Sequence, residues 1–379
     1  MVQQYFEESH NILRQSVRKF LEREVLPYID EWEDKEEFPR ELYTKAAEAG
    51  FLGLGCPEEL GGTPADVFHG IAFAEEFLRS GSLGLTSGIG SYGIAIPPIL
   101  AMGTAEQKKR FIPPVLRGEK IAALGITEPD AGSDVASIRT RAVRDGDEYV
   151  VNGAKTFITS GCRADFVTTA VRTGGEGYGG VSLLVIETNT PGFKVARKIR
   201  KMGWNASDTA ELAFEDCRVP AANLLGEEGR GFYGIMENFQ YERLSLAVMA
   251  HQVAQIAYEE SLKYAQTRQA FGKPLTGFQV TRHKLVDMAT KIAAAREFNY
   301  RLAARMESGE DVVTEVSMAK NFACEVCDKV VYDAVQIHGG YGYAREYLVE
   351  RLYRDARILS IGGGTTEIMK EIISKTLQI

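Results

Sequence analysis

The feature that most constrains this chain is a hydrophobic period that changes twice. Up to about residue 120 the apolar residues recur at helical spacing, interrupted at Cys56-Pro57, Gly61-Gly62-Thr63-Pro64 and Pro97-Pro98. From about Ile121 to Val219 the pattern becomes strand-like, and after the glycine-bearing stretch 226–231 the helical period returns and holds to the end. The two patterns are not interchangeable, because side chains repeat about every 3.6 residues on a helix face and about every 2 on a strand. The chain therefore reads as an α+β, multidomain protein: a helical domain over 1–120, a β-domain over 121–228 and a helical domain over 229–379. Its 379 residues exceed what one core usually supports, in keeping with that division.

Within the β segment, Asn152-Gly153 stands between two β-prone runs and predicts a hairpin. Further strands are expected over 166–171, 181–186 and 211–214, with a glycine-rich loop over 174–180. In the last domain, long helical stretches broken at Phe271-Gly272-Lys273-Pro274, Ser308-Gly309, 338–343 and 362–364 predict an antiparallel bundle. Glu350 with Arg354, and Arg351 with Asp355, stand at i, i+4 and are expected to pair.

The formal net charge of -8 argues against binding a phosphate backbone, so nucleic acid is not an expected partner. Residues 1–26 read as an amphipathic helix with Leu13, Val17, Phe20 and Leu21 on one face; neither a signal peptide nor a membrane span is readable. Five cysteines at irregular spacing suggest reduced thiols in a cytosol-like compartment. Cys324 and Cys327 form a C-x-x-C without further zinc ligands or a strand-to-helix setting, and are read as buried helical residues. No metal site is predicted.

Six stretches are weighed for possible chemistry. In Leu124-Gly125-Ile126-Thr127-Glu128-Pro129-Asp130-Ala131-Gly132-Ser133-Asp134, small residues let backbone approach a flat ligand while Thr127 and Ser133 offer hydrogen bonds; a plain turn is the alternative. Gly88-Ile89-Gly90-Ser91-Tyr92-Gly93 matches G-x-G-x-x-G, but no strand-to-helix setting surrounds it, so a dinucleotide fold is rejected. Glu242 has Asn238, Phe239, Ser245 and Leu246 at i±3 and i±4, none of them a cation; it is either a solvated glutamate near a helix start or a carboxylate kept for chemistry. Arg268 ends that helix, and Gln336-Ile337-His338-Gly339-Gly340 either caps the next or lets a phosphate approach backbone. Gly362-Gly363-Gly364-Thr365-Thr366-Glu367 is either a cap or a wall against a flat substrate.

Taken together and in this order, these segments resemble the acyl-CoA dehydrogenase family over residues 5–373. The likeness is carried by the 126–134 block, Thr267-Arg268-Gln269-Ala270-Phe271-Gly272, Gln336-Ile337-His338-Gly339-Gly340, and Arg354-Asp355 followed by Gly364-Thr365-Thr366-Glu367-Ile368. The resemblance implies the acyl-CoA dehydrogenase fold: a helical N-terminal domain, a β-barrel-like middle domain and a C-terminal four-helix bundle, assembled as a homotetramer with one FAD per subunit. It implies that the flavin lies against Leu124, Ile126, Thr127, Gly132, Ser133, Phe157, Ile158 and Thr159, with Thr365 and Glu367 completing the same site. Arg268, Phe271, Gln279, Gln336, Gly339 and Gly340 would reach FAD across a dimer interface.

The chain departs from many relatives at the base. Where they carry the catalytic glutamate in the loop, this chain has Gly363, and the branch resembling long-chain and isovaleryl enzymes carries it at the position of Glu242. Removing a weakly acidic α-proton needs a carboxylate whose pKa an apolar pocket has raised, and donors aimed at the thioester oxygen. In family terms those donors are a ribityl hydroxyl and the backbone N–H of Gly363, and the β-hydrogen leaves as hydride to the flavin, giving a trans-2-enoyl-CoA. Ser133, Tyr241, Arg243 and Gly363 are the expected substrate contacts, and residues 87–96, with Gly88, Gly90 and Gly93, the expected acyl pocket. Electrons would pass to an electron-transferring flavoprotein in fatty-acid or branched-chain oxidation, in a bacterial cytoplasm or, for a processed eukaryotic chain, the mitochondrial matrix. The rivals are an acyl-CoA oxidase or flavin monooxygenase on the same fold, and a non-catalytic acyl-CoA or flavin binder.

Overall fold

The computed structural model describes residues 5–379, the side chains of 237 and 238 excepted. Asn238, counted above among the neighbours of Glu242, and the first four residues of the amphipathic segment thus lie outside the described residues.

Each change of period becomes a change of architecture. Helices from Glu8–Glu24 to Ala105–Leu116 form the first layer, around a core that includes Val17, Phe20, Leu21, Phe51 and Phe77. The last of these helices opens with the Thr104/Gln107 capping box, whose Gln107 amide also donates to the Ala222 and Leu224 carbonyls at 2.7 Å, tying the layer to the sheet.

The middle segment is one mixed sheet. Its strands are β1 (Ala122–Gly125), β2 (Arg141–Asp145), β3 (Glu148–Thr159), β4 (Phe166–Arg172), β5 (Val181–Glu187), β6 (Phe193–Lys198), β7 (Thr209–Pro220) and β8 (Leu224–Leu225). They follow an open path, β6-β7-β3-β2-β4-β5-β8, with β1 lying parallel to β4. The glycine-rich 174–180 stretch joins β4 to β5.

The hairpin expected at Asn152-Gly153 does not form. Both residues lie inside β3, and the chain reverses earlier, at Gly146-Asp147, where Asp145 pairs with Glu148 and Gly146 takes φ +61° as the first position of a II′ turn requires. Asn152 is used sideways instead. Its amide donates to Asp216 Oδ1 at 3.1 Å and its carbonyl accepts the Asp216 N–H at 2.9 Å, stitching a bulge where the β3–β7 register slips beside Gly153. Glycine is needed there because an added Cβ would meet Thr140 Cα at 2.6 Å.

After Gly231 three long antiparallel helices, Gly231–Thr267, Gln279–Glu307 and Val313–His338, are completed by the shorter Leu348–Ala356 and Thr366–Leu377. The first is apolar on several sides because it touches the N-terminal helices, the sheet and its bundle partners at once. Ala247, Ala250, Ala254 and Ala257 let Val313–His338 pack closely, with Cys324 and Cys327 buried at that seam. Glu350 and Arg354 pair at 2.7 Å as expected, but Arg351 and Asp355 do not. Arg351 reaches Asp30 at 2.5 Å, while buried Asp355 accepts the backbone N–H groups of Trp204 at 2.6 Å and Leu83 at 3.2 Å, so both residues tie domains together. Among the described residues, no single helix is long and apolar enough to cross a membrane.

Candidate active site

The candidate residues fall into two constructions, one on the sheet and one on the bundle. On the sheet side the chain leaves β1 at Ile126 over a buried ion pair. Lys155, 0% exposed on β3, donates to the Ile126 carbonyl at 2.9 Å and to Glu128 Oε1 at 2.7 Å. The Glu128 carboxylate also accepts the backbone N–H groups of Arg139 at 2.5 Å and Thr140 at 2.9 Å. Burial pulls the Lys155 ammonium down to about 8 against the pull of Glu128. Burial pushes Glu128 the other way, but the Lys155 charge and the donors outweigh it and hold the carboxyl below its ordinary range.

That pair anchors the loop from beneath and leaves Gly132 and Ser133 exposed above it. The Thr127 carbonyl accepts the Thr156 N–H at 2.9 Å, coupling the loop to a second bulge in β3, where the register slips between Lys155 and Ile158. Phe157 sits in that bulge at φ +59° with its side chain 66% exposed, an uncommon conformation for a bulky residue. Thus the segment carrying Leu124, Ile126, Thr127, Gly132 and Ser133 is tied to the segment carrying Phe157, Ile158 and Thr159. The hydroxyls of Thr127, Ser133 and Thr159 have no hydrogen-bond partner among the described residues.

On the bundle side, Glu242 lies near the start of Gly231–Thr267. The residue is half-buried, yet its Oε2 is closed off from solvent and has no hydrogen-bond partner among the described residues, and the buried Arg243 Nε is equally unpartnered there. Burial pushes the Glu242 carboxyl up to about 7, opposed by the charges of Lys320 and Arg243. Gly363 stands directly opposite at φ +61°, and a Cβ added to it would lie 3.4 Å from Glu242 Oε1 and 2.4 Å from Leu246 Cδ1. The helix glutamate and the glycine loop therefore share one space, which a side chain at 363 would have to contest.

Lys320 holds that loop from behind. It is 1% exposed on Val313–His338, and its Nζ donates to the carbonyls of Gly362 at 2.7 Å and Gly364 at 2.5 Å. Thr365 caps the next helix by accepting the Ile368 N–H at 3.3 Å, and Glu367 is exposed in its first turn. Tyr241 is exposed and Arg243 buried, its guanidinium over the Phe239 ring at 5.9 Å.

The remaining candidates form a separate patch. Phe271 is 97% exposed at the tip of a small hairpin, and the chain beyond it leads through Leu275 and Phe278 to Gln279. Arg268 lies over the Tyr341 ring at 5.6 Å, which brings it to the turn following Gln336, Gly339 and Gly340. At about 1.5 Å per residue, Arg268 is roughly 39 Å along the helix from Glu242, so within one chain this patch does not reach the site. In the N-terminal layer, Gly88 is a packing position, since an added Cβ would meet the Phe38 ring at 2.6 Å; of the three glycines there only Gly93 faces open space.

The sequence reading missed Lys155, Glu128 and Lys320 as structural partners of the site. A lysine inside a β-prone run was the available signal for Lys155; nothing local marked Lys320. A further cluster, His10, Asp66 and His69, is a helix cap rather than a ligand set: His10 Nδ1 accepts the Glu7 N–H at 2.8 Å, which leaves its Nε2 to carry hydrogen toward Asp66 at 3.0 Å.

The chain matches the family models for the acyl-CoA dehydrogenase N-terminal domain over residues 7–119, middle domain over 123–217 and C-terminal domain over 229–378. It belongs to the acyl-CoA dehydrogenase family. It is 41% identical to the mitochondrial long-chain specific acyl-CoA dehydrogenase of Sus scrofa, over 99% of this chain and 88% of that protein. It is 38% identical to subunit CarC of the caffeyl-CoA reductase-Etf complex of Acetobacterium woodii, over 98% and 99%. A solved acyl-CoA dehydrogenase from Geobacillus kaustophilus superposes with a TM-score of 0.97 at 44% identity, covering 99% of each chain.

The acyl-CoA dehydrogenase family is FAD-dependent, and the chain carries out FAD-dependent α,β-dehydrogenation of acyl-CoA thioesters. The residues present fit a flavin: hydroxyls without a partner among the described residues line an exposed loop, and a bulge at positive φ presents an aromatic ring beside it. When bound, FAD supplies the hydride acceptor that no side chain can provide.

Proposed function

We propose that Glu242 is the base that removes the α-proton of an acyl-CoA thioester. The observation that carries this reading is a carboxylate oxygen shut away from water with no hydrogen-bond partner among the described residues, opposite Gly363 of the glycine loop. A glutamate titrating near neutrality suits proton abstraction, because it is ionised when needed and still basic enough to accept the proton. The backbone N–H of Gly363 would receive the thioester carbonyl, with Ser133, Tyr241 and Arg243 contacting the substrate. The isoalloxazine would rest on Leu124, Ile126, Thr127, Gly132, Ser133, Phe157, Ile158 and Thr159, reached also from Thr365 and Glu367.

The far patch supports assembly as a homotetramer in which Arg268, Phe271, Gln279, Gln336, Gly339 and Gly340 contact FAD of a neighbouring subunit. An almost fully exposed Phe271 needs such a cover, and the length of the helix keeps it from its own site. Electron-transferring flavoprotein is the proposed acceptor, supported by the Acetobacterium relative, and the proposed pathway is fatty-acid or branched-chain oxidation within a cytoplasmic or matrix compartment.

An anaerobic titration with acyl-CoAs of graded length and branching tests the reading. The flavin should bleach with at least one of them and regain colour on adding the acceptor flavoprotein. Rapid recovery with oxygen alone would favour an oxidase, and no bleaching across the series would favour a non-catalytic binder.

A further inference from the structure

Lys320 is an unusual buried lysine. Its ammonium meets no carboxylate among the described residues and instead donates to the carbonyl oxygens of Gly362 and Gly364, the two residues flanking Gly363. We infer that Lys320 is the positioning residue for the oxyanion donor: by holding those two carbonyls it fixes the direction and strength of the Gly363 N–H. The inference rests on the proposed function above, in which that N–H receives the thioester oxygen.

The carbonyl of Gly362 and the N–H of Gly363 belong to one planar trans unit and point in opposite directions, so a cation fixing the first aims the second away from Lys320. Without such an anchor the segment has little to hold it, because Gly362, Gly363 and Gly364 carry no side chains and the last two sit at φ +61° and +96°. A donor that must already be in place when charge develops cannot be left to a loop of that freedom. The bond is also charge-assisted, and withdrawing density through the carbonyl makes the N–H at the other end of the same peptide a better donor.

The base is held in the same frame. A Cβ added to Gly363 would stand 3.4 Å from Glu242 Oε1, so the loop that Lys320 fixes lies opposite the carboxylate. Asn321, the next residue, provides the structural comparison: its amide donates to the Thr366 carbonyl at 3.2 Å and steadies the end of the loop without touching the 362–363 peptide.

The test uses FAD-loaded enzyme and 4-dimethylaminocinnamoyl-CoA, a push-pull thioester whose absorption moves to the red when its carbonyl is polarised. Lys320→Met should bind this probe within about threefold of the parent affinity but lose most of the red shift. Its kcat for acyl-CoA should fall roughly 10- to 100-fold at nearly unchanged KM, short of the loss expected for deleting an oxyanion donor outright. Lys320→Arg should recover part of both, and Asn321→Ala should keep the parent spectrum.

A parental red shift and kcat in Lys320→Met would overturn the inference, as would a loss confined to KM. Should that variant fail to retain FAD, Lys320→Gln carries the same spectral readout; loss of FAD from both would make the lysine a folding residue and overturn the inference. If the parent enzyme itself neither shifts the probe nor is bleached by acyl-CoA, the functional reading beneath it fails.

Discussion

Glu128, buried beneath the sheet-side loop, and Glu242, half-buried on the bundle helix, are pushed in opposite directions. Glu128 receives an ammonium and two backbone N–H groups, and these outweigh burial, so its carboxyl is held below the ordinary carboxylate range. Glu242 has no donor for its enclosed oxygen among the described residues, and burial carries it up to about 7. Burial alone therefore does not decide what a carboxylate is for; the supply of hydrogen bonds does. The lysines divide in the same way. Lys155 is consumed by its ion pair, whereas Lys320 spends its donors on backbone and leaves Glu242 free.

The largest expected effect follows from treating Glu242 as chemistry. Glu242→Gln keeps the shape and removes the base, so anaerobic flavin reduction should slow by about 100- to 10,000-fold while FAD and acyl-CoA still bind. Stopped-flow absorbance decides it, and a near-parental rate would move the proton to another residue. Treating Glu128 as architecture gives the converse. Lys155→Met leaves a buried carboxylate without its cation and should lower unfolding free energy by about 3–5 kcal/mol, read from urea midpoints. If the variant instead unfolds like its parent but loses only turnover, the division drawn between the two glutamates is wrong.

A smaller effect probes the space that Glu242 and the glycine loop share. Gly363→Ala must place a Cβ at positive φ and within 2.4 Å of Leu246 Cδ1, which should cost about 1–3 kcal/mol. Adding Leu246→Ala removes the clash but not the backbone strain, so the double variant should show a favourable coupling in a thermodynamic cycle. Strict additivity would mean the loop moves aside and that the contact with the helix does not constrain it.

The three-part period made the architecture legible, because each stretch of chain repeats its burial pattern many times and no single residue has to carry the inference. The missing helix-surface partner of Glu242 was legible for the same local reason: a helix fixes its i±3 and i±4 neighbours. What stayed hidden were interactions between residues far apart in sequence. Lys320 reads as one more lysine on a helix, and its partners come 42 and 44 residues later. Asp355 has the spacing to pair with Arg351, yet the backbone N–H groups of Trp204 and Leu83 claim it. Asn152-Gly153 carries the composition of a tight turn, but the same freedom serves a bulge, and only the approach of Thr140 settles which.

The pH response gives the smallest effect and the finest distinction. Below about 7 the Glu242 base is protonated, so the rate of flavin reduction at limiting substrate should rise close to tenfold per pH unit and level off above that point. Stability must run the other way. A carboxyl whose folded pKa is raised binds its proton more tightly in the folded chain, so it is fully tolerated below the ordinary carboxylate range and destabilises progressively as pH climbs toward about 7. Glu128, whose pKa is lowered, gives stability that is present above that ordinary range and lost as pH falls through its folded value. Urea midpoints of the parent and Glu242→Gln, compared between about pH 5 and pH 8, should therefore separate as pH rises, with the variant the more stable. A gap that stays constant across that range would mean the carboxyl is not held in an apolar enclosure, and the contrast with Glu128 would lose its physical basis.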